Sequence, residues 1–151
     1  MIDTVFEHVG YFLAWTCILY WLHRAGHAFE PLRKLHSAQH GITYDGKWEF
    51  EWANLIGWFN DWRCTADQWL CEILPTAVFV LLFPDAWWIA VYYYFDGLAF
   101  SEGVIDHNPR INIPFWSPGR YHLAHHADPT VNFDHYTWLW DWVFGTFRRV
   151  Q

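Results

Sequence analysis

Several things are scarce in this chain of 151 residues. Its three cysteines, Cys17, Cys64 and Cys71, form no CxxC pair, which excludes a disulfide frame and a thiolate metal site; they read as free buried thiols. Permanent positive charge is short, with nine Lys and Arg against sixteen Asp and Glu and a formal net charge of -7. That balance excludes nucleic acid as a partner, because such a partner needs a basic stripe. Linkers, low-complexity stretches and solenoid-period repeats are missing, so residues 1–151 read as a single domain. No haem-binding or flavin motif is visible.

Also missing is a clean apolar run of about 20 residues, the length of a simple membrane span. The nearest approaches are residues 5–22, with Glu7 and His8 near the start, and a hairpin of residues 66–83 and 86–102. The hairpin breaks at Pro84-Asp85, and Asp67, Glu72 and Asp96 interrupt its arms. On hydropathy alone, a buried hairpin of a soluble protein fits as well as a membrane hairpin. The placement of cations decides between them. Residues 1–22 and 64–109 hold no Lys or Arg; all nine lie in residues 24–63 and 110–149. If the first segment crosses once and the hairpin twice, both basic blocks face one side, which the positive-inside rule makes cytoplasmic. Arg24, Lys47, Arg110 and Arg149 are then cytoplasmic, and the N-terminus with Asp3, Glu7 and Asp85 lies outside. The N-terminus has no basic region of the kind a secretory signal carries, so the first segment is expected to stay attached.

What the chain has in abundance is aromatic rings, 23% of its residues, which suit a surface that is apolar on one side and wet on the other. The expected fold is all-α. We read a small helical integral membrane protein under a cytoplasmic histidine-rich helical cap, with three spans, or one span and a re-entrant hairpin.

Ten histidines outnumber Lys and Arg together. His23 and His27 stand in HRAGH, and His36 and His40 in HSAQH; residues at i and i+4 share a helix face, about 5–6 Å apart at Cβ. His122, His125 and His126 give a denser version in YHLAHHAD, and His107 stands alone in DHNPRIN. All eight lie in or beside the cation-rich blocks. A lone HxxxH marks an ordinary helix surface more often than a metal, but three such boxes on one side of a membrane point to metal. Eight imidazoles exceed what one tetrahedral ion takes, so two ions with about four ligands each is the economical reading. Imidazole suits zinc, copper, iron and nickel alike.

The same residues carry a family resemblance. HRAGH, LRKLHSAQH, the single histidine of DHNPRI, and YHLAHHADPTVNFDHYTWLWDWVFGTFRR resemble the fatty acid hydroxylase/sterol desaturase superfamily. Its pattern is HxxxH, HxxHH, a single histidine and HxxHH, then an Asn-aromatic pair and WDxxFGT. Asn132-Phe133 and Trp140-Asp141 through Phe144-Gly145-Thr146 fill the last places. The resemblance implies a membrane-embedded di-iron oxygenase with its boxes at the cytoplasmic helix ends. It also implies His23, His27, His36, His40, His107, His122, His125 and His126 as metal ligands. The second box departs from the pattern, because Gln39 stands where a ligand histidine is expected. The chain is also short for the family.

Outside the boxes, Asp96, Gly103 and His107 share a helical stripe at i, i+7 and i+11, which turns the Asp96 carboxylate toward the site. An intramembrane carboxylate is costly and marks function by default. Asp96 and Gln39 are therefore the candidate catalytic residues beside the metals. Asp106, Asp128, Asp134 and Asp141 are placed either to accept the second N–H of ligand imidazoles or to cap helices. His135 reads as a polar neighbour of the rings or a surface histidine, with a ninth ligand or substrate-pocket residue as the alternative, and His8 reads as structural or interfacial. The Trp-rich stretch AWWIAVYYYF reads as lipid-facing and interfacial anchors.

The activity implied is O2-dependent hydroxylation or desaturation of a fatty acyl chain, sterol, carotenoid or alkane. Two iron ions would serve it, with zinc as a substitute, and a separate protein would donate the electrons. Two readings of other classes stand beside it: a non-catalytic metal-binding subunit of a larger membrane assembly, and a zinc-dependent hydrolase. Strict dependence of turnover on O2 separates the first from both.

Overall fold

The computed structural model describes residues 2–42 and 50–150; Lys47, expected on the cytoplasmic side, lies outside them. The regular structure of those residues is helical, without strands; loops such as 106–119 and 128–138 join the helices, and one isolated bridge pairs Trp116 with Thr137. Helix α1 spans Ile2–Ala28. Phe29 adopts extended backbone and ends it, and Pro31 in the first turn starts α2, Glu30–His40. Helix α3, Trp62–Leu82, opens at Asp61, whose side chain accepts from the N–H groups of Arg63 and Cys64. A 3-10 turn at Pro84–Ala86 leads into α4, which runs as α-helix over Trp87–Tyr93 and continues as π-helix over Tyr94–Ile105. Two short helices complete the set, α5 at Arg120–Ala127 and α6 at Leu139–Phe144.

Helices α1 and α3 are long and apolar enough to cross a membrane, with only 22% and 33% of their most apolar windows buried within the protein. Val5, Phe6, Val9, Ile18 and Trp21 of α1, and Val78, Leu81 and Leu82 of α3, point outward. Exposed apolar side chains in this number suit a membrane or partner contact. The third expected segment is also helical, but it is divided between α and π geometry.

Indole and phenol groups pin the helices to one another from inside. The Trp15 indole N–H donates to Thr76 Oγ1 at 2.9 Å, joining α1 to α3, and Trp140 donates to Thr16 Oγ1 at 2.9 Å, joining α6 to α1. Trp88 of α4 donates to His8 Nδ1 at 3.1 Å, which gives His8 the structural role expected of it. The Trp-rich stretch serves two faces: Trp87, Val91, Tyr94 and Phe95 are exposed, while Ile89 and Tyr93 join the core around Trp15 and Leu19. Anchoring at the surface therefore describes only half of it.

Gly97 sits where α4 passes closest to the loop after α5. A Cβ there would lie 2.7 Å from the Tyr93 ring and 3.1 Å from the Tyr136 hydroxyl, whereas a Cβ at Gly10 would meet nothing within 4 Å. Gly97→Ala should therefore destabilise the protein by about 1–3 kcal/mol through overpacking. Gly10→Ala should leave stability unchanged or raise it by about 0.5–1 kcal/mol. Thermal unfolding of both variants in the same detergent checks the contrast.

Candidate metal centre

The last turns of α1 carry His23 and His27, α2 carries His36 and His40, and α5 carries His122, His125 and His126. His107 follows the π-helix. The fold brings all eight together. The ligand-capable nitrogens of His23, His27, His36 and His125 lie within 4.8 Å of one another, and so do those of His107, His122 and His126. His40 stands between the groups: its Nε2 is 3.2 Å from His36 Nε2, and its ring stacks on His126 at 4.3 Å.

Proton positions on these rings follow from their partners. His23 Nδ1 lies 2.6 Å from the Phe133 carbonyl, His125 Nδ1 lies 2.7 Å from the Val131 carbonyl, and His36 Nδ1 lies 2.7 Å from Asp67 Oδ2. These oxygens accept, so each Nδ1 carries a hydrogen and each Nε2 is the nitrogen turned toward the other rings. Those Nε2 atoms face other imidazole nitrogens, His23 to His36 at 3.2 Å and His125 to His27 at 2.9 Å. In the second group, His126 Nε2 lies 3.1 Å from His107 Nε2 and 3.0 Å from His122 Nε2. Nitrogens gathered at this spacing suit donors that share a cation. A metal–nitrogen bond of about 2.0–2.1 Å places neighbouring donors about 2.8–3.4 Å apart in octahedral or tetrahedral geometry. The donor set thus fits a pair of metal ions.

Burial keeps the rings in the ligand form. It lowers the proton affinity of His122, His125 and His126, with neighbouring imidazoles adding to the effect, and it brings His40 down to about 4 with help from His36. Neutral imidazole is the form that binds metal, so no proton has to be displaced near neutral pH.

The aspartates divide. Asp141, fully buried, accepts from the backbone N–H groups of Phe133 and Asp134, from Tyr121 Oη and from Thr146 Oγ1. It thereby fixes the carbonyl that holds His23. Asn132, with positive φ, locks the same loop by accepting from Arg148 N and donating to Arg148 O. Asp134 accepts from the N–H groups of Tyr136, Thr137 and Trp140 and serves as a cap, and burial pushes its carboxyl up to about 7. Asp128 is a surface residue bound to Thr130 and Arg148. Asp106 stands 3.3 Å from His122 Nε2, the nitrogen that faces His126, and not at the ring's other nitrogen.

Sequence reasoning passed over Asp67, Glu72 and the two backbone carbonyls. Asp67 was visible only as a charge interrupting an apolar segment, and the cost of such burial was signal enough to single it out, as it was for Asp96. The Asp96 stripe assumed α-helical register, but residues 94–105 are π-helical. Asp96 still lies within electrostatic reach of Asp106, and its Oδ2 is buried without a hydrogen-bond partner. Gln39 is half-buried on α2 beside His40. His135 is no surface residue: its ring lies flat on His23, 4.5 Å away at 9°, and its Nε2 is 3.7 Å from Glu72.

Two outcomes follow. Asp67→Ala should weaken metal binding about 10–100-fold, as expected when the group orienting a ligand imidazole is lost; competition with a chelator of known affinity measures it. For the metal-free protein, the unfolded chain protonates its histidines near pH 6.5 while the buried rings do not. The unfolded state then binds more protons, so stability falls as the pH drops from about 6.5 toward 4. The raised carboxyls Asp106 and Asp134 act in the opposite sense, but His40, His122, His125 and His126 outnumber them. Unfolding midpoints across that range check the sign.

Residues 8–146 match the family model for fatty acid hydroxylase. A Delta(7)-sterol-C5(6)-desaturase from Nicotiana tabacum is 27% identical over 130 residues, which cover 86% of this chain and 45% of that protein. The chain thus spans less than half the length of this relative. No solved structure matches. With a family match over most of its length, and with its histidine boxes folded into two converging groups, the chain belongs to the fatty acid hydroxylase family.

Proposed function

We propose that the protein is a membrane di-iron oxygenase that hydroxylates or desaturates a lipid-like substrate with O2 and electrons from a separate donor protein. The observation that carries this reading is the pair of imidazole clusters whose nitrogens converge at the spacing of a coordination shell. Family membership and the sterol desaturase relative support lipid oxidation in general; fatty acyl, sterol, carotenoid and alkane substrates all fit the chemistry.

His23, His27, His36 and His125 would hold one iron and His107, His122 and His126 the other, with His40 between them. Zinc would replace iron where it is abundant, because it stands above Fe(II) in the usual affinity order. The irons, when bound, supply the redox chemistry that oxidation of an inert C–H bond requires and that no side chain provides. The chain's own part is to hold neutral donors in place, keep bulk water out of the buried cluster, and offer polar atoms beside it. The Gln39 amide and the Asp96 carboxyl take that last role, binding a water or a polar group of the substrate.

The apolar exteriors of α1 and α3 support residence in a bilayer. In our topology the N-terminus lies outside, the hairpin spans or re-enters, and the histidine boxes face the cytoplasm, where an electron donor docks. Cysteine labelling of sealed vesicles at Asp3 and Gln151 tests the sidedness. Access to both ends from the same side contradicts it, and labelling at Asp85 separates a spanning hairpin from a re-entrant one.

Activity is tested with iron-loaded protein, a chemical reductant and mixed lipids, following oxygen consumption and the lipid products by mass. His126→Ala should abolish turnover and lower bound metal, whereas Gln39→His should raise metal affinity by adding an imidazole to the second box. Background oxygen consumption with two irons bound would defeat the oxygenase reading and favour a non-catalytic metal-binding subunit.

A further inference from the structure

The two nitrogen groups are unequal. In the first, three of the four rings donate Nδ1–H to a fixed acceptor: Phe133 O, Asp67 or Val131 O. The second has only three imidazoles, and His122 Nδ1 is buried without a hydrogen-bond partner. Its missing donor is beside it. Asp106 Oδ2 lies 3.3 Å from His122 Nε2, and that same nitrogen is 3.0 Å from His126 Nε2. These spacings match the edges of one coordination shell, about 2.8–3.4 Å for bonds of about 2.0–2.1 Å.

Charge makes the same demand. Asp106 is 93% buried, by its 7% exposure, and lies within electrostatic reach of Glu72 and Asp96. Among the described residues, the Lys and Arg ion pairs go instead to Glu30, Asp61 and Asp128. A carboxyl buried among other carboxyls, away from Lys and Arg and 3.3 Å from a cluster imidazole, is placed to give its charge to a cation close by.

We infer that Asp106 is the fourth ligand of the second metal site, so that the two ions sit in different shells, four imidazoles in one and three imidazoles with a carboxylate in the other, with His40 between them. This rests on the two-metal reading proposed above. The first site, with most of its rings already oriented, fills first; the second fills later and through Asp106. Direct ligation differs from a supporting hydrogen bond because the carboxylate approaches the nitrogen that faces the other donors.

The test uses the full-length metal-free protein in detergent, titrated with cobalt(II) alone, with bound ion counted by elemental analysis and followed by visible absorption. The wild type should take up two ions per chain in two steps. Asp106→Asn should lose the weaker step and bind one ion, with the first step's spectrum unchanged. Asp106→His should regain the second ion with a shifted spectrum, since imidazole replaces carboxylate. Two ions bound by Asp106→Asn with wild-type affinities would overturn the assignment while leaving the two-metal reading intact. A wild type that binds no cobalt would overturn both. Should the Asn variant misfold by circular dichroism, the wild type labelled with isotopic aspartate decides: the carboxylate infrared band must shift as the second ion binds, and an unmoved band refutes the ligand.

Discussion

Imidazole nitrogens meeting at about 3 Å are the constraint on which the rest of this structure depends. In water such nitrogens would turn away from each other or take up protons. Here burial disfavours the protonated form, and in the first group hydrogen bonds at Nδ1 of His23, His36 and His125 hold the rings in place. Several elements thus converge on a geometry suited to a cation among the rings. Structural metal sites of this kind contribute directly to folding free energy.

Holding that geometry is the work of the C-terminal third. The Phe133 carbonyl that fixes His23 is itself fixed, through Asp141, which gathers two backbone N–H groups, the Tyr121 hydroxyl and Thr146. Gly145 ends α6 in the left-handed conformation, and the Thr146 and Phe147 N–H groups then turn back onto the Asp141 carbonyl. Tyr20 of α1 meets Thr146 Oγ1 at 2.9 Å, so the same clasp is tied to the helix that carries the first histidine box. The Asn-aromatic and WDxxFGT stretches thus support the rings, Phe133 by holding His23 through its carbonyl and Asp141 by fixing that carbonyl in turn.

The histidine boxes were legible because i, i+4 spacing on a helix is a local property, and residue type alone names the ligand atom. The fold brings all eight rings together, which the spacing within each box did not by itself imply. Their supports were far less legible. Two of the three Nδ1–H acceptors are backbone carbonyls, which every residue possesses and no sequence pattern marks. The third, Asp67, lies 31 residues from its partner His36, a distance that only tertiary packing closes. The π turns over Trp69–Ile73 and Tyr94–Ile105 also escaped the 3.6-residue period, and with them the register that was meant to aim Asp96. The all-helical class survived these misses because it rested on segment hydropathy, which does not depend on register.

Those π turns have a physical consequence for the site. The first follows directly on Asp67 and contains Cys71, whose thiol donates to Asp67 Oδ1 at 3.4 Å, and Glu72, which faces His135. A regular α-helix over the same residues would rotate everything beyond the insertion by a fraction of a turn. Asp67 and Glu72 would then no longer both face the cluster from one helix. The second widens α4 just before Asp106 and His107, and its Gly97 lets Tyr136 approach the helix backbone. Both departures from α geometry lie where carboxylates must enter an apolar interior and reach imidazoles. π-Helical turns are found frequently where side chains are aimed at a functional site. The polar site and the helical irregularity are therefore one feature: the rings and carboxylates give the bulged backbone polar surroundings, and the bulges deliver the carboxylates to the rings.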